Sequence, residues 1–198
     1  QHGRISIIDM DTGTLSLRYD ARKGRNTPAF AGELLLVADD RGSLIALNWR
    51  DREYPLERLA RYVRRHFFIW GMQENPPISK GFVWGVKLGT RHTSISSPAI
   101  ADGTAYVSGS DGRLHALAVS TGEKLWEYQS GHLSHSSPVV AGNTVYLGTN
   151  HGEIHAVDRK TGEGLTKFFA GGSITGQLVV AGDRLYASSR DGTLYVFQ

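Results

Sequence analysis

Short apolar runs, each closed by a glycine-bearing turn, fill most of this chain. AYVSG at 105–109, LHALAV at 114–119, VYLGT at 145–149, IHAVD at 154–158, LYASS at 185–189 and LYVF at 194–197 are apolar at odd and even positions alike. A strand with one wet face alternates; these read as strands in sheets covered on both sides. Ser110-Asp111-Gly112, Asn150-His151-Gly152 and Arg190-Asp191-Gly192 separate them, and DTG, STGE and KTGE follow the next strand. Tight hairpins need positive φ, which Gly adopts freely and Asn or Asp tolerate best among the rest.

The turns recur at a fixed interval. Gly112, Gly152 and Gly192 stand 40 residues apart, and Pro98, Val107, Ala116, Thr121 and Gly122 are echoed by Pro138, Leu147, Ala156, Thr161 and Gly162. A period of this length with four short strands per unit predicts stacked sheets fanned round an axis. The strand runs number two in an opening half-unit, then four, four, four and three. The fold expected is therefore all-β: a β-propeller of four-stranded antiparallel blades, about four per chain. Small residues at Ala46, Ala116, Gly148 and Ala156 suit the places where blades converge. A ring left half-built would expose sheet edges and a blade face. Closure is expected through a second copy, giving a homodimer; a longer chain or a tight four-bladed ring are the other routes. The chain opens at Gln1 in mid-repeat and is expected to be a trimmed or processed piece, so the lack of a leader carries no information.

One stretch breaks the period. Gly42 and Gly112 are 70 residues apart, which places an insertion of about 30 residues at 51–81 within the 1–198 propeller domain. Leu56, Leu59, Val63, Phe67 and Trp70 recur at helical spacing and form one apolar face. Arg58, Arg61, Arg64 and Arg65 fall mostly off that face. Pro55 suits a helix start, Gly71 a helix end, and Asn75-Pro76-Pro77 bars continuation. Such a helix can cap the propeller, apolar face down. It can instead be an interaction element, with Arg58, Arg61, Arg64, Arg65, Phe67 and Trp70 as the candidate surface for a second copy or an acidic partner.

Charge sharpens this. The net charge is +3, and between Arg50 and Lys80 seven bases face four acids, so the whole excess lies in that one segment. The basic face and the aromatics also suit a membrane surface. Four arginines without a wider basic surface or a stacking platform make a thin footprint for nucleic acid, which is not an expected partner. There is no cysteine, which excludes disulfides, thiolate metal sites and cysteine nucleophiles. Of eight histidines (His2, His66, His92, His115, His132, His135, His151 and His155), His115 and His155 are repeat-equivalent and read as packing residues. No metal site is expected, because zinc needs three or four convergent ligands. The serines at 94, 96, 97, 134, 136 and 137 recur with the repeat, which gives them a structural reason.

The unit SSPAIADGTAYVSGSDGRLHALAVSTGEKLW resembles the pyrroloquinoline-quinone-like (PQQ-like) β-propeller repeat. That family carries a tryptophan-docking turn, A-x-D-x-x-T-G-x-x-x-W. Here Ala116, Thr121, Gly122 and Trp126 match, with Ala118 at the Asp place; Ala156, Asp158, Thr161 and Gly162 match, with Thr166 at the Trp place. Asp9, Thr12 and Gly13 open the chain with Leu17 at the Trp place, and Asn48 stands for Asp in the interrupted unit, whose docking tryptophan is Trp84. The resemblance implies that Trp84, Trp126 and Asp158 are structural: the indole stacks on the neighbouring blade and the Asp braces the turn.

It also implies three classes of function. Quinoprotein dehydrogenases hold the quinone with calcium, a catalytic Asp and commonly a vicinal disulfide. This chain lacks cysteine, and its carboxylates sit mainly in turns, so a dehydrogenase fragment is the last alternative and no cofactor or catalytic residue is expected. Outer-membrane assembly lipoproteins resemble the fold without a cofactor. Sensor domains of bacterial receptor-type kinases also look like it. The expectation is a non-catalytic binding, scaffold or sensor module with a protein or small-ligand partner, placed outside the cytoplasm.

Overall fold

Every hairpin the glycines mark is present, and together they fold the chain into five antiparallel sheets. The computed structural model describes residues 5–19, 26–39, 42–51, 57–72, 80–89 and 95–198, with the main chain alone at 16–19 and 57–58. The opening half-blade is β1 (Ile5–Ile8) with β2 (Leu15–Tyr19). The first full blade is β3 (Ala29–Ala31), β4 (Leu34–Ala38), β5 (Ser43–Asn48) and β6 (Phe82–Lys87). The second is β7 (Ala99–Ala101), β8 (Thr104–Ser108), β9 (Arg113–Ala118) and β10 (Lys124–Gln129). The third is β11 (Val139–Ala141), β12 (Thr144–Gly148), β13 (Glu153–Asp158) and β14 (Gly164–Phe169). Three strands make the last: β15 (Val179–Ala181), β16 (Arg184–Ser188) and β17 (Leu194–Phe197). Strand order within each sheet follows the chain, and the first strands of successive blades adjoin: β3 by β7, β7 by β11, β11 by β15. This is a β-propeller of quinoprotein-like blades, about four in the chain.

The apolar residues gather in four clusters, one at each joint between sheets. Ile5 and Ile7 pack on Leu35, Val37 and Leu47. Leu36, Leu44 and Trp84 meet Ala105, Leu117 and Val119. Tyr106, Leu114 and Ala116 meet Val145, Leu147 and Val157. Ile154 meets Ile174, Leu178, Leu185 and Ala187. The double-sided apolar strands follow from this, since each of the three interior sheets lies in two joints.

In the last three strands the equivalent positions are more exposed. Leu114 and Ile154 are fully buried, but their repeat-equivalent Leu194 is 61% exposed. Ala116 and Ala156 are buried and Val196 is 49% exposed. Among the described residues no buried apolar cluster forms on this face of the β15–β17 sheet.

The insertion forms α1 (Glu57–Ile69), between β5 and β6. Its end is a Schellman turn: the Gly71 N–H donates to the Phe68 carbonyl, the Met72 N–H to that of Phe67, and Gly71 takes φ +73°. Leu56, Pro55 and Asn75-Pro76-Pro77 lie outside the described residues. The helix is not a cap: Leu59, Val63 and Phe67 are exposed on the side expected to face down. The strand it springs from, β5, is already buried in joints to either side, so no bare sheet face lies beneath it.

Gly152 tests the turn chemistry. It sits at φ +80°, and a Cβ there would lie 2.7 Å from the Ala170 carbonyl oxygen. Gly152→Ala should lower unfolding free energy by about 2 kcal/mol. Gly142→Ala, at φ +55° with open space round the new methyl, should cost only about 1 kcal/mol. Urea titrations of both variants check the order; equal costs would show that the close approach is slack.

Candidate interaction surface and blade joints

In the four sheets that carry both, the third and fourth strands of the repeat pair with the same irregularity. Ile7 opposes Leu17, Ala46 opposes Trp84, Ala116 opposes Trp126 and Ala156 opposes Thr166, with one residue bulged just before each outer partner. A bulge re-aims the side chain that follows it. At two joints that side chain is an indole sent across to the next blade. Trp84 Nε1–H donates to the Val119 carbonyl at 2.8 Å, and Trp126 Nε1–H to the Arg159 carbonyl at 3.0 Å. Each ring lies flat over a turn glycine: a Cβ on Gly122 would come within 2.5 Å of Trp84, and one on Gly162 within 2.7 Å of Trp126. Only glycine admits so close an approach at these positive φ values.

The receiving turn is braced where Asp is present. Asp158 Oδ1 accepts the N–H groups of Lys160 and Thr161, both at 2.8 Å, and Oδ2 accepts Asn143 Nδ2–H at 2.7 Å. The Thr161 and Lys160 N–H groups hold this carboxyl below its usual range. Asp9 does the same for Asp11 and Thr12. Asn48 accepts a single N–H, from Arg50. At Ala118 the side-chain brace is gone and backbone bonds hold the turn, Gly122 N–H donating to the Ala118 carbonyl and Ala118 N–H to that of Glu123. Arg159 also crosses the joint to Asp102 at 2.6 Å, an exposed pair that adds little by itself.

His115 and His155 occupy the same buried place one blade apart, with different company. His155 Nε2 stands 2.9 Å from a Glu153 oxygen, and Nδ1 stands 2.9 Å from the Tyr128 hydroxyl. A carboxylate can only accept, so Nε2 carries the proton and Nδ1 accepts from Tyr128. In the blade before, Arg113 replaces Glu153 and Glu127 replaces Lys167. His115 Nδ1 lies 3.3 Å from Glu127, out of hydrogen-bond alignment. Burial pushes both imidazoles below their ordinary pKa of 6.5. His132 and His151 stack at 4.0 Å. His135 is exposed, and His2 and His92 lie outside the described residues. Among the described residues no three His, Asp or Glu are grouped to hold a metal ion. The recurring serines tie strand ends together: Ser108 Oγ–H donates to the Ser136 carbonyl, and Ser134 and Ser136 donate to that of Gly148.

Polar and apolar residues of the helix both face water. Arg64 and Arg65 are exposed, Phe67 is 41% exposed and Trp70 64%. Arg61 is half-buried; Arg58 lies on the helix with its side chain outside the description. Beside the Leu59, Val63, Phe67 row runs a second one: Tyr62 to His66 at 4.1 Å between ring centroids, His66 to Trp70 at 5.7 Å. The spacing of four at Tyr62, His66 and Trp70 signals this ladder in the sequence, but the polar histidine hides it from a search for apolar positions. Among the described residues no helix is long and apolar enough to cross a membrane.

A family model described as outer membrane protein assembly factor BamB matches residues 78–198. Among solved structures, BamB from Moraxella catarrhalis superposes with a TM-score of 0.69 at 22% identity, over 98% of this chain and 52% of that one. The computationally designed Ika8 protein gives 0.74 at 14% identity, over 97% of this chain and 51% of its own. The designed Ika4 protein gives 0.63 at 15%, over 88% and 92%. At these identities the structures show the fold alone. The chain spans about half the length of the BamB chain it matches. No curated protein matches the sequence.

Two outcomes follow for the joints. Trp126→Phe keeps the ring but leaves the Arg159 carbonyl without its indole donor, and should cost about 1–2 kcal/mol in urea unfolding. Trp126→Ala should cost about 3–5 kcal/mol; a neutral result for both would show that the joint does not depend on the indole. The second outcome concerns pH. Both buried histidines have folded pKa values below 6.5, so the unfolded chain binds protons first as pH falls. Their neutral burial is fully stabilising above pH 6.5 and is lost progressively below it. Tm should drop as pH falls below about 6.5, and His155→Gln should flatten that slope; an unchanged slope in the variant would refute the assignment.

Proposed function

The chain belongs to the family described as outer membrane protein assembly factor BamB, and from that membership we propose that it is a non-catalytic scaffold propeller acting outside the cytoplasm. One observation carries the reading: the inserted helix holds an aromatic-basic surface in solvent, while Asp158 and the recurring serines of the sheets are engaged in bracing turns and strand ends. An assembly scaffold needs such a projecting contact. Arg58, Arg61, Arg64, Arg65, Phe67 and Trp70 are the residues proposed to meet a protein partner, with acidic and apolar groups as the complementary chemistry.

The open face of the last blade supports a second part of the proposal. Leu194 and Val196 occupy positions that interior blades bury. Two copies of a chain that spans half of BamB would supply the blades of one full-length ring. A homodimer is the form proposed. The reading as a sensor module of a receptor-type kinase draws on the fold alone and stands second.

Light scattering should give about twice 21.7 kDa for the wild-type chain, and the double variant Leu194→Lys, Val196→Lys should return the single-chain mass. A monomeric wild type would end the paired-ring proposal. Redox turnover with added pyrroloquinoline quinone and calcium would end the scaffold reading.

A further inference from the structure

Side chains of β9 alternate between two joints. Leu114 and Ala116 belong to the cluster shared with the third blade, Leu117 to the cluster shared with the first. His115 therefore points at the first blade, and its cross-strand neighbour Val107 lies in that same cluster. The imidazole is buried there, and among the described residues neither ring nitrogen has a hydrogen-bond partner. The cause lies one blade back. Tyr128 opposes Leu114 on the outer strand of the second blade, and its hydroxyl crosses to His155. The equivalent place on the first blade opposes Leu44 and is held by Val86, which has no hydroxyl to send. With Leu44 and Leu88, Val86 makes an apolar wall. The charged groups that act on His115 come from its own blade: Glu127, Asp111, Lys124 and Arg113. Glu127 is already engaged by Arg113 at 2.7 Å and by Lys124 at 2.9 Å.

The two equivalent histidines consequently answer a proton differently. An imidazolium at His155 keeps an acceptor for each N–H, Glu153 at Nε2 and the Tyr128 oxygen at Nδ1 once that hydroxyl turns. Lys167 and His132 are the other charged or titratable groups acting there. At His115 the same proton sets a charge against an apolar wall with Nε2–H unpaired. Separation of the two sheets lets that charge reach water. We propose that His115 is a proton-operated release for the joint between the first and second blades, the joint locked by Trp84 over Gly122. Acidification opens this joint ahead of the one that Trp126 locks, and the blade set loose is the one that carries α1. The device lies wholly within the sheets, so it stands or falls apart from the scaffold and dimer proposals.

The test is hydrogen exchange of the Trp84 and Trp126 indole N–H groups in the full chain, read by NMR as protection factors. Burial holds the His115 pKa below 6.5, so the closed joint is fully favoured above about pH 6.5 and loses ground below it. The Trp84 indole should lose protection as pH falls below that point, by up to about tenfold per pH unit for one proton. The loss at Trp126 should be at least about threefold smaller over the same range. His115→Leu should leave the protection of Trp84 flat with pH. Val86→Tyr gives His115 the hydroxyl that His155 has and should weaken the response at least about twofold, whereas Val86→Phe, a ring without the hydroxyl, should not. Equal losses at the two indoles of the wild type, a pH-dependent Trp84 in His115→Leu, or the same response in Val86→Tyr and Val86→Phe overturn the proposal.

Discussion

Stability in this molecule resides in the contact between one sheet and the next. Among the described residues each cluster of buried side chains belongs to a joint, and two of the joints are locked by an indole laid over a neighbouring turn glycine. Energies of this kind are nearest-neighbour terms, as in any stacked-repeat protein. A blade is only as covered as its neighbours allow. That single constraint accounts for the exposed face of the final sheet and for the short apolar strands throughout.

The polar residues follow the same logic. Buried serines donate to carbonyls at strand ends, and His155 is held neutral between Glu153 and Tyr128. These groups are saturated by their roles in the sheets. What is left to act on other molecules is what the repeat does not require: the helix inserted between β5 and β6.

Some of this was legible in the residues and some was not. The helix was readable from Leu59, Val63, Phe67 and Trp70, because spacing is a local property. Its exposure was not, because an apolar row looks the same whether it faces a sheet or water. Thr166 could be aligned with Trp126 from the repeat alone. His115 and His155 are equivalent in sequence but differ in company, since the charges at 113 and 127 are reversed at 153 and 167.

The amino-acid sequence by itself determined the number of strands, the hairpins and the interval between them, because turn geometry is set by a few consecutive residues and positive φ by the absence of a side chain. The tertiary structure alone decided which surfaces are covered. Burial is a relation between two elements distant in the chain. It can be satisfied at Ile154, left open at Leu194 and refused to Phe67 without any change in the kind of residue involved.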